Sequence, residues 1–195
     1  RTIVTIIGVV LSAAMITAVA TFAVSLQNYL INSSAVKYGS WHVEFLDVDS
    51  AFLQERSHDK GVRDTATIEN IGYAALNDGK NPDKPYLFVT GFNEKAFKDL
   101  PIKMISGRLP QNSGEVLIPV HLSANGGVNY AVGDTLSLAV GDRVNGSGRL
   151  TQHTPYNPEG GSEAVVPKAE KIYTVVGICE RPSFEEAAAP GYTLI

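Results

Sequence analysis

The sequence predicts an α+β protein, with one long apolar helix at its start and a mixed domain of several strands and short helices behind it, in one or two lobes. From Thr2 to Val36 the chain carries no acidic or basic residue, whereas the rest has ordinary charge and a mild acidic excess. Short β-rich runs separated by Gly, Pro and Asn follow. These remaining residues, about 160, suffice for one hydrophobic core.

The apolar stretch from Ile3 to Leu26 is long enough to cross a bilayer. At 1.5 Å per residue it reaches about 36 Å as a helix, against roughly 30 Å of hydrocarbon. A buried core helix rarely needs so long an apolar run. A secretion signal is the open alternative, because Ala18-Val19-Ala20 has the small-x-small form of a cleavage site. The apolar run continues past that site to Ile31, so we predict a transmembrane helix over residues 1–26.

Small residues at close helical spacing suggest that this span packs in a bundle with other helices. They are Gly8, Ser12, Ala13, Ala14, Thr17, Ala18, Ala20 and Thr21. Arg1 precedes the span and the next charge, Lys37, opens an acidic region, so the positive-inside tendency places the N-terminus in the cytoplasm. Residues from about 28 onward are therefore expected outside a cell membrane. A helical stalk is predicted over 27–40, because neither Gly nor Pro interrupts the chain before Gly39.

Behind the stalk the pattern alternates between strand and short-helix signals. We expect strands at 41–48, 64–76, 85–92, 114–120, 133–140 and 170–179, and short helices at 51–60, 94–100 and 121–127. Asp49 or Ser50 is the expected N-cap of the first of these helices, and Asn93 that of the second. Residues 77–84 are expected to form an exposed loop, and the Gly- and Pro-rich residues 141–171 a long hairpin or surface excursion.

No residue is predicted to be catalytic, to bind a cofactor or to ligate a metal. The four histidines lack metal-ligand spacing, the acidic residues near position 47 lack a calcium-loop pattern, and the single cysteine lies in an apolar strand. These residues are His42, His58, His121 and His153, then Glu44, Asp47 and Asp49, and finally Cys179. With no Lys/Arg stripe, the chain is not expected to bind nucleic acid. One cysteine excludes an internal disulfide.

Three motifs follow one another in the second half of the chain: "MISGRLPQNSGEVLIP" (104–119), "VGDTLSLAV" (132–140) and "YTVVGICERP" (173–182). In the first, Gly107 and Pro110 predict a bend and Gly114 a second turn before a strand. In this order, and together with the apolar start, they resemble the extracytoplasmic core domain of MacB/FtsX-like ABC transporter permeases. The outer domain is shorter than in efflux-pump members that meet a periplasmic adaptor, which favours a Gram-positive bacterial permease.

The resemblance implies a part without catalytic chemistry or cofactor: a first membrane helix, a core domain over 41–182, and a segment over 183–195 returning toward the membrane as the fragment ends. The implied partners are a cytoplasmic ABC ATPase subunit, the remaining membrane helices of the same permease in a dimeric assembly, and the lipid bilayer. The alternative is a single-pass surface receptor or adhesion ectodomain that binds a peptide, a glycan or a cell-wall component, with an enzyme as third option. Candidate contact surfaces are loop 77–84 and the excursion with Arg149 and Tyr156, because loops on a rigid scaffold often carry recognition. We expect both to be plain solvent-facing loops, so no binding residue is predicted.

Overall fold

The computed structural model describes residues 2–146, 148–157, 159 and 163–195. The chain divides into two compact units, a helical unit that ends at His42 and a sheet unit from Val43 to Ile195.

The helical unit consists of α1 (Thr2–Tyr38), a single uninterrupted helix of 37 residues with no buried residue. Its mean hydropathy reaches 2.5, and it is long and apolar enough to span a membrane, a test that a signal sequence also passes. Helical hydrogen bonding extends to Gly39, whose N–H donates to the Ala35 carbonyl, and the indole Nε1 of Trp41 donates to the Tyr38 carbonyl over 2.8 Å. The predicted long apolar helix is therefore confirmed.

The described residues of the sheet unit form eight strands and three helices in a mixed α and β arrangement, which confirms that part of the predicted fold class. The strands are β1 (Ile68–Ala75), β2 (Tyr86–Phe92), β3 (Met104–Gly107), β4 (Glu115–Pro119), β5 (Thr135–Asn145), β6 (Gly148–Arg149), β7 (Glu163–Cys179) and β8 (Gly191–Leu194). The helices are α2 (Ser50–Ser57), α3 (Glu94–Asp99) and α4 (His121–Ala124). All eight strands belong to one sheet, and the described residues give no second lobe.

The sheet runs in the order β3-β7-β5-β1-β2-β8, with β4 parallel to β7 and β6 paired to β5. Two further backbone hydrogen bonds join β4 to the residue that follows β8: Leu117 N donates to Ile195 O over 2.7 Å, and Ile195 N donates to Leu117 O over 3.3 Å. The last residue therefore pairs with β4, and the path of hydrogen bonds β1-β2-β8-β4-β7-β5 returns to β1. Closing a sheet in this way removes exposed edges and encloses a core.

Strand β2 is buried on both faces, which explains its unbroken apolar run "YLFV". Leu87 and Val89 point into the main core, whereas Tyr86 and Phe88 belong to an aromatic cluster on the opposite face. The other members of the main core are Ala74, Leu76, Val116, Ile118, Leu122, Leu136, Leu138, Val140, Tyr173, Val175, Tyr192 and Leu194. A strand with two buried faces must be covered on each side, and Tyr156 and Val165 pack against the aromatic cluster.

Local signals fixed the two helix starts correctly. The Oδ1 atom of Asp49 accepts from the N–H of Phe52, and the Oδ1 atom of Asn93 accepts from the N–H of Ala96, each over 2.8 Å. The predicted strands from 64–76 onward are also confirmed, with shifted ends. The exception is the first: residues 41–48 form no strand. Strand propensity is realised only where a neighbour completes the ladder, and no described strand pairs with these residues.

Part of the predicted hairpin or surface excursion over 141–171 lies outside the described residues, namely residues 147, 158 and 160–162, and the two described arms pair as a long hairpin. Strand β5 continues to Asn145 and β7 begins at Glu163, paired residue against residue. A bulge at Val140 and Gly141 bends this hairpin, and a Cβ on Gly141 would lie 1.9 Å from the Val166 carbonyl oxygen. The strands β3 and β8 had no counterpart in the sequence-based prediction; β8 lies within the segment expected to return toward the membrane.

Candidate functional site

The first of the three motifs is a turn clamped by one ion pair. Gly107 has a φ of 77°, and a Cβ there would lie 2.2 Å from the Val176 carbonyl oxygen, so only glycine fits. The Arg108 guanidinium donates to both carboxylate oxygens of Glu115 over 2.6 and 2.8 Å, and the N–H of Gln111 donates to the same carboxylate over 2.9 Å. Arg108 and Gln111 lower the pKa of Glu115 to about 2. The motif builds a fixed bend before β4.

The other two motifs meet this bend at one end of β7. Gly107 of β3 pairs with Gly177 of β7, and a Cβ on Gly177 would lie 2.6 Å from the Arg108 carbonyl oxygen. From the second motif, the N–H of Gly133 donates to the Val175 carbonyl oxygen, and the N–H of Val175 donates to the Asp134 carbonyl oxygen, each over 2.8 Å. The three motifs are therefore neighbours in space, and their glycines allow close backbone packing around β7.

A buried ionic cluster surrounds the carboxylate of Glu185, whose side chain is fully buried. Its Oε1 atom accepts from Lys84 Nζ over 2.7 Å, lies 2.8 Å from His121 Nε2 and 3.3 Å from Arg181 Nε. Its Oε2 atom accepts from the N–H of Thr193 over 2.8 Å. Burial alone would raise the pKa of Glu185, but the contacts with His121 and Lys84 outweigh burial and lower it. The carboxylate is thus held charged inside the sheet unit.

The cluster joins three parts of the chain that are far apart in sequence, around Lys84, around His121 and in the segment 181–193. Lys84 precedes β2, His121 begins α4, Arg181 follows β7, and Thr193 belongs to β8. Lys84 is 6% exposed, so the prediction that 77–84 is wholly an exposed loop is wrong at that residue. The reason is that Lys84 pairs with a carboxylate 101 positions later, a contact without any local sequence signal. Burial lowers the pKa of Lys84.

A second network extends the cluster on the side of α4. Asn125 Oδ1 accepts from the Tyr192 hydroxyl and from Asn81 Nδ2, each over 2.6 Å. The Lys84 ammonium lies 5.0 Å from the centre of the Tyr192 ring, and the His121 ring 5.1 Å from the same ring. Every oxygen of Glu185 is already engaged by the protein itself. This arrangement can fix β8 and α4 in place.

The cover over the aromatic cluster is a strap formed by residues Thr151–Asn157. The fully buried guanidinium of Arg143 donates to the carbonyl oxygens of Thr151, Thr154 and Pro155 over 2.9, 2.7 and 3.1 Å. It also donates to both carboxylate oxygens of Glu163, over 2.6 and 3.0 Å. A single buried cation therefore ties the strap to the β5–β7 hairpin, and the carboxylate of Glu163 balances its charge.

Two residues of the predicted contact surfaces have defined positions near this strap. Tyr156 packs edge-on against Tyr86, with ring centres 5.8 Å apart. Arg149 pairs with Asp142 over 2.7 Å and remains largely exposed. Tyr156 therefore covers the aromatic cluster, while Arg149 faces solvent on the hairpin.

The structure brings none of the remaining titratable candidates together into a cluster. His58 Nδ1 lies 2.7 Å from the Gln54 carbonyl oxygen, and His153 Nδ1 lies 2.7 Å from Glu186 Oε1. Within the described part of the chain, no group of three or more His, Cys, Asp or Glu side chains is placed to hold a metal ion. Cys179 is fully buried, and burial raises the pKa of its thiol to about 12. Such a thiol is unreactive in the folded protein.

The start of the sheet unit exposes an apolar segment, Val43–Val48. Val43 and Phe45 are 67% and 56% exposed, and Leu46 and Val48 are exposed as well. Phe45 contacts the ring of Phe52 in α2, with centres 5.1 Å apart. Uncovered apolar segments of this kind are typical of contact surfaces. The sequence analysis did not predict this exposed surface. The alternation of apolar and polar residues in the segment is also the signal of a strand, and a strand was predicted there.

Comparison of the chain with protein-family models and with curated proteins finds no match.

Proposed function

We propose that this chain is the first membrane helix and the outer domain of an ABC transporter permease, which passes motion driven by a separate cytoplasmic ATPase to the outside of the cell. The observation that carries the proposal is the length of α1. Its 37 residues measure about 55 Å, well beyond the roughly 30 Å of hydrocarbon. The helix therefore continues past the membrane as a rod, with no proline and only Gly8 as a weak point.

The construction of the sheet unit supports the same proposal. A domain that is moved as a body has to resist deformation, and the closed path of hydrogen bonds serves that purpose. The clusters around Glu185 and Arg143 add charged cross-links between distant elements. The three motifs that resemble the permease core domain pack together on β7. These features favour a mechanical part over a catalytic one.

In this proposal residues 1–26 cross the cell membrane, 27–40 form the stalk, 41–182 the extracytoplasmic core domain, and 183–195 lead back toward the membrane. The remaining helices of the permease surround α1, and two permease halves form the transporter. The membrane that holds the permease is bacterial, and a Gram-positive bacterium is favoured.

The proposed topology can be tested with introduced cysteines. Cys179 is fully buried, so the native chain is expected to resist a membrane-impermeant maleimide on whole cells. Ser113→Cys, at an exposed turn, is expected to react on intact cells. Thr2→Cys, at the cytoplasmic boundary of a span that exceeds the roughly 30 Å of hydrocarbon, is expected to react only after permeabilisation. Labelling of Thr2→Cys on intact cells, or a mature chain that begins near Thr21, would contradict the proposal.

The proposed mechanism can be tested on the intact protein in its own membranes. Purification in mild detergent is expected to recover an ATPase subunit with the chain. A proline in the stalk, Asn28→Pro, removes a helical hydrogen bond and kinks α1. We expect it to leave membrane insertion and the ATPase partner in place but to uncouple ATP hydrolysis from transport, with Asn28→Ala as control. Recovery without any ATPase would refute the permease.

One observation favours a second candidate, a single-pass receptor or adhesion ectodomain. The apolar segment Val43–Val48 is exposed on the sheet unit and suits a protein or peptide contact. If no ATPase accompanies the protein and substitution of Phe45 by Ser abolishes cell-surface binding to a peptide or glycan, this second function is supported.

A further inference from the structure

The apolar segment Val43–Val48 has the sequence of a strand but no strand partner in the sheet. Its backbone groups form no hydrogen bond with other backbone groups in the part of the chain that the structure describes. Val43 and Phe45 are exposed, and Asp47 has a φ of 53°, which bends the chain there. Residues other than glycine rarely adopt a positive φ. The segment is therefore one unpaired half of a β-ladder.

The other unpaired half lies along one edge of β7. The backbone groups of Val175 bond on the β5 side of this strand, whereas the N–H of Thr174 bonds on the β4 side. Because this direction alternates along a strand, the N–H and C=O groups of Glu170 and Ile172 also face the β4 side. Pairing with β4 does not extend before Thr174, and no other described strand lies there. Glu170 is exposed, and Ile172 is 69% exposed.

The charges of the two halves match in one antiparallel alignment. Glu44 and Asp47 lie three residues apart in the segment, and Lys168 and Lys171 lie three residues apart in β7. When Glu44 lies opposite Lys171, Asp47 lies opposite Lys168. A shift of two residues, the smallest that keeps each side chain on its face, removes both of these pairs. A parallel alignment also matches the charges, but parallel pairing is less stable per residue.

We propose that Val43–Val48 of one copy of this chain adds as an antiparallel strand to the free edge of β7 in a second copy, and that the exchange is reciprocal. Phe45 then lies opposite Glu170 and Val43 opposite Ile172, and each pair exchanges its backbone hydrogen bonds. A second copy is the occupant because a twofold axis pairs both open halves at once, while within one chain they do not meet. The contact uses the sheet unit alone and does not rest on the proposed function.

Two differently tagged copies of the full chain, produced together in one membrane, test this contact. One copy carries Leu46→Cys and the other Ala169→Cys, at positions that face each other without hydrogen bonds. Cα atoms of such a pair lie about 4.5 Å apart, a distance that a disulfide spans. We expect mild oxidation to link the two tags, and the fully buried Cys179 to stay out of the reaction. Phe45→Cys with Ala169→Cys is the control, because its side chain points to the opposite face; it should link about tenfold more slowly.

Charge reversal tests the alignment. Glu44→Lys in the first copy, or Lys171→Glu in the second, should slow the linkage about fivefold, because an attractive cross-strand pair becomes repulsive. Both reversals together restore opposite charges and should recover the original rate. The proposal is overturned if Leu46→Cys links no faster than Phe45→Cys, if the paired reversals fail to recover the rate, or if the disulfide forms only when both cysteines are in a single chain.

Discussion

Replacing Glu185 by glutamine tests the buried ionic cluster directly. The amide keeps the shape of the carboxylate but loses its charge, while Lys84, only 7% exposed at its side chain, stays buried beside it. Breaking a buried ion pair costs about 3–5 kcal/mol. Whichever way the amide is turned, its NH2 group faces a donor, either the Thr193 N–H or the Lys84 ammonium. We therefore expect the free energy of unfolding to fall by about 4 kcal/mol, a large share of the usual 5–15 kcal/mol.

The matched control is Glu180→Gln, only five positions earlier. Glu180 and Lys103 lie 3.4 Å apart with side chains 57% and 63% exposed, and such surface pairs are worth about 0.5 kcal/mol. Urea unfolding of the full chain in nonionic detergent, followed by the near-ultraviolet circular dichroism of the tyrosines, measures both variants. If Glu185→Gln lies within about 1 kcal/mol of the parent, or no further from it than Glu180→Gln, the cluster does not hold the fold together.

Three further predictions concern the same sheet unit. Because the pKa of Glu185 is lowered on folding, its contribution to the free energy of unfolding is present above the ordinary carboxyl pKa near 4.5 and is lost as the pH falls below it. Urea titrations at several pH values should therefore show that the stability of Glu185→Gln depends less on pH in that range than the stability of the parent. Parallel stability profiles would contradict this. Gly107→Ala should destabilise the protein by about 1–3 kcal/mol, and by more than Gly133→Ala. Both glycines have a positive φ, but only Gly107 lacks space for a Cβ, because the Val176 carbonyl lies in the way. Equal effects in thermal unfolding would show that crowding by Val176 is irrelevant. Arg143→Lys cannot reach three carbonyl oxygens at once, so hydrogen exchange over the strap should quicken while β1 stays protected, and unchanged exchange would contradict the role given to Arg143.

The features that could be predicted from sequence are those that depend on near neighbours. Asp49 and Asn93 cap helices through the N–H group three residues ahead, so the signal and the contact lie in the same short segment. The apolar helix α1 is likewise a property of one continuous stretch. For the same reason the capped helices kept their starts where they were expected, although α2 ends earlier, at Ser57.

The features that could not be predicted depend on residues far away in the chain. The alternation in 41–48 is that of a strand, but no described strand pairs with it, so it stays irregular. The reverse holds for β8, which has only four residues and pairs in parallel with β2 across about a hundred positions. Lys84 and Glu185 carry no sign of each other in the sequence, and burial made by the fold decides that they pair.

The short strand β8 also explains why charged and polar groups are buried where apolar ones would pack as well. A shift by one residue would turn Tyr192 and Leu194 out of the core, and four parallel pairs with β2 specify the register only weakly. Side chains from other elements fix it: Gln152 Nε2 donates to the Gly191 carbonyl oxygen over 2.7 Å, and Glu185 accepts from the Thr193 N–H. The Thr90 hydroxyl donates to the carbonyl oxygen of Leu194 over 2.9 Å. Each of these contacts is lost in a shifted register, so the buried polar groups stabilise one alignment of β8 and thereby the closure of the sheet through Ile195.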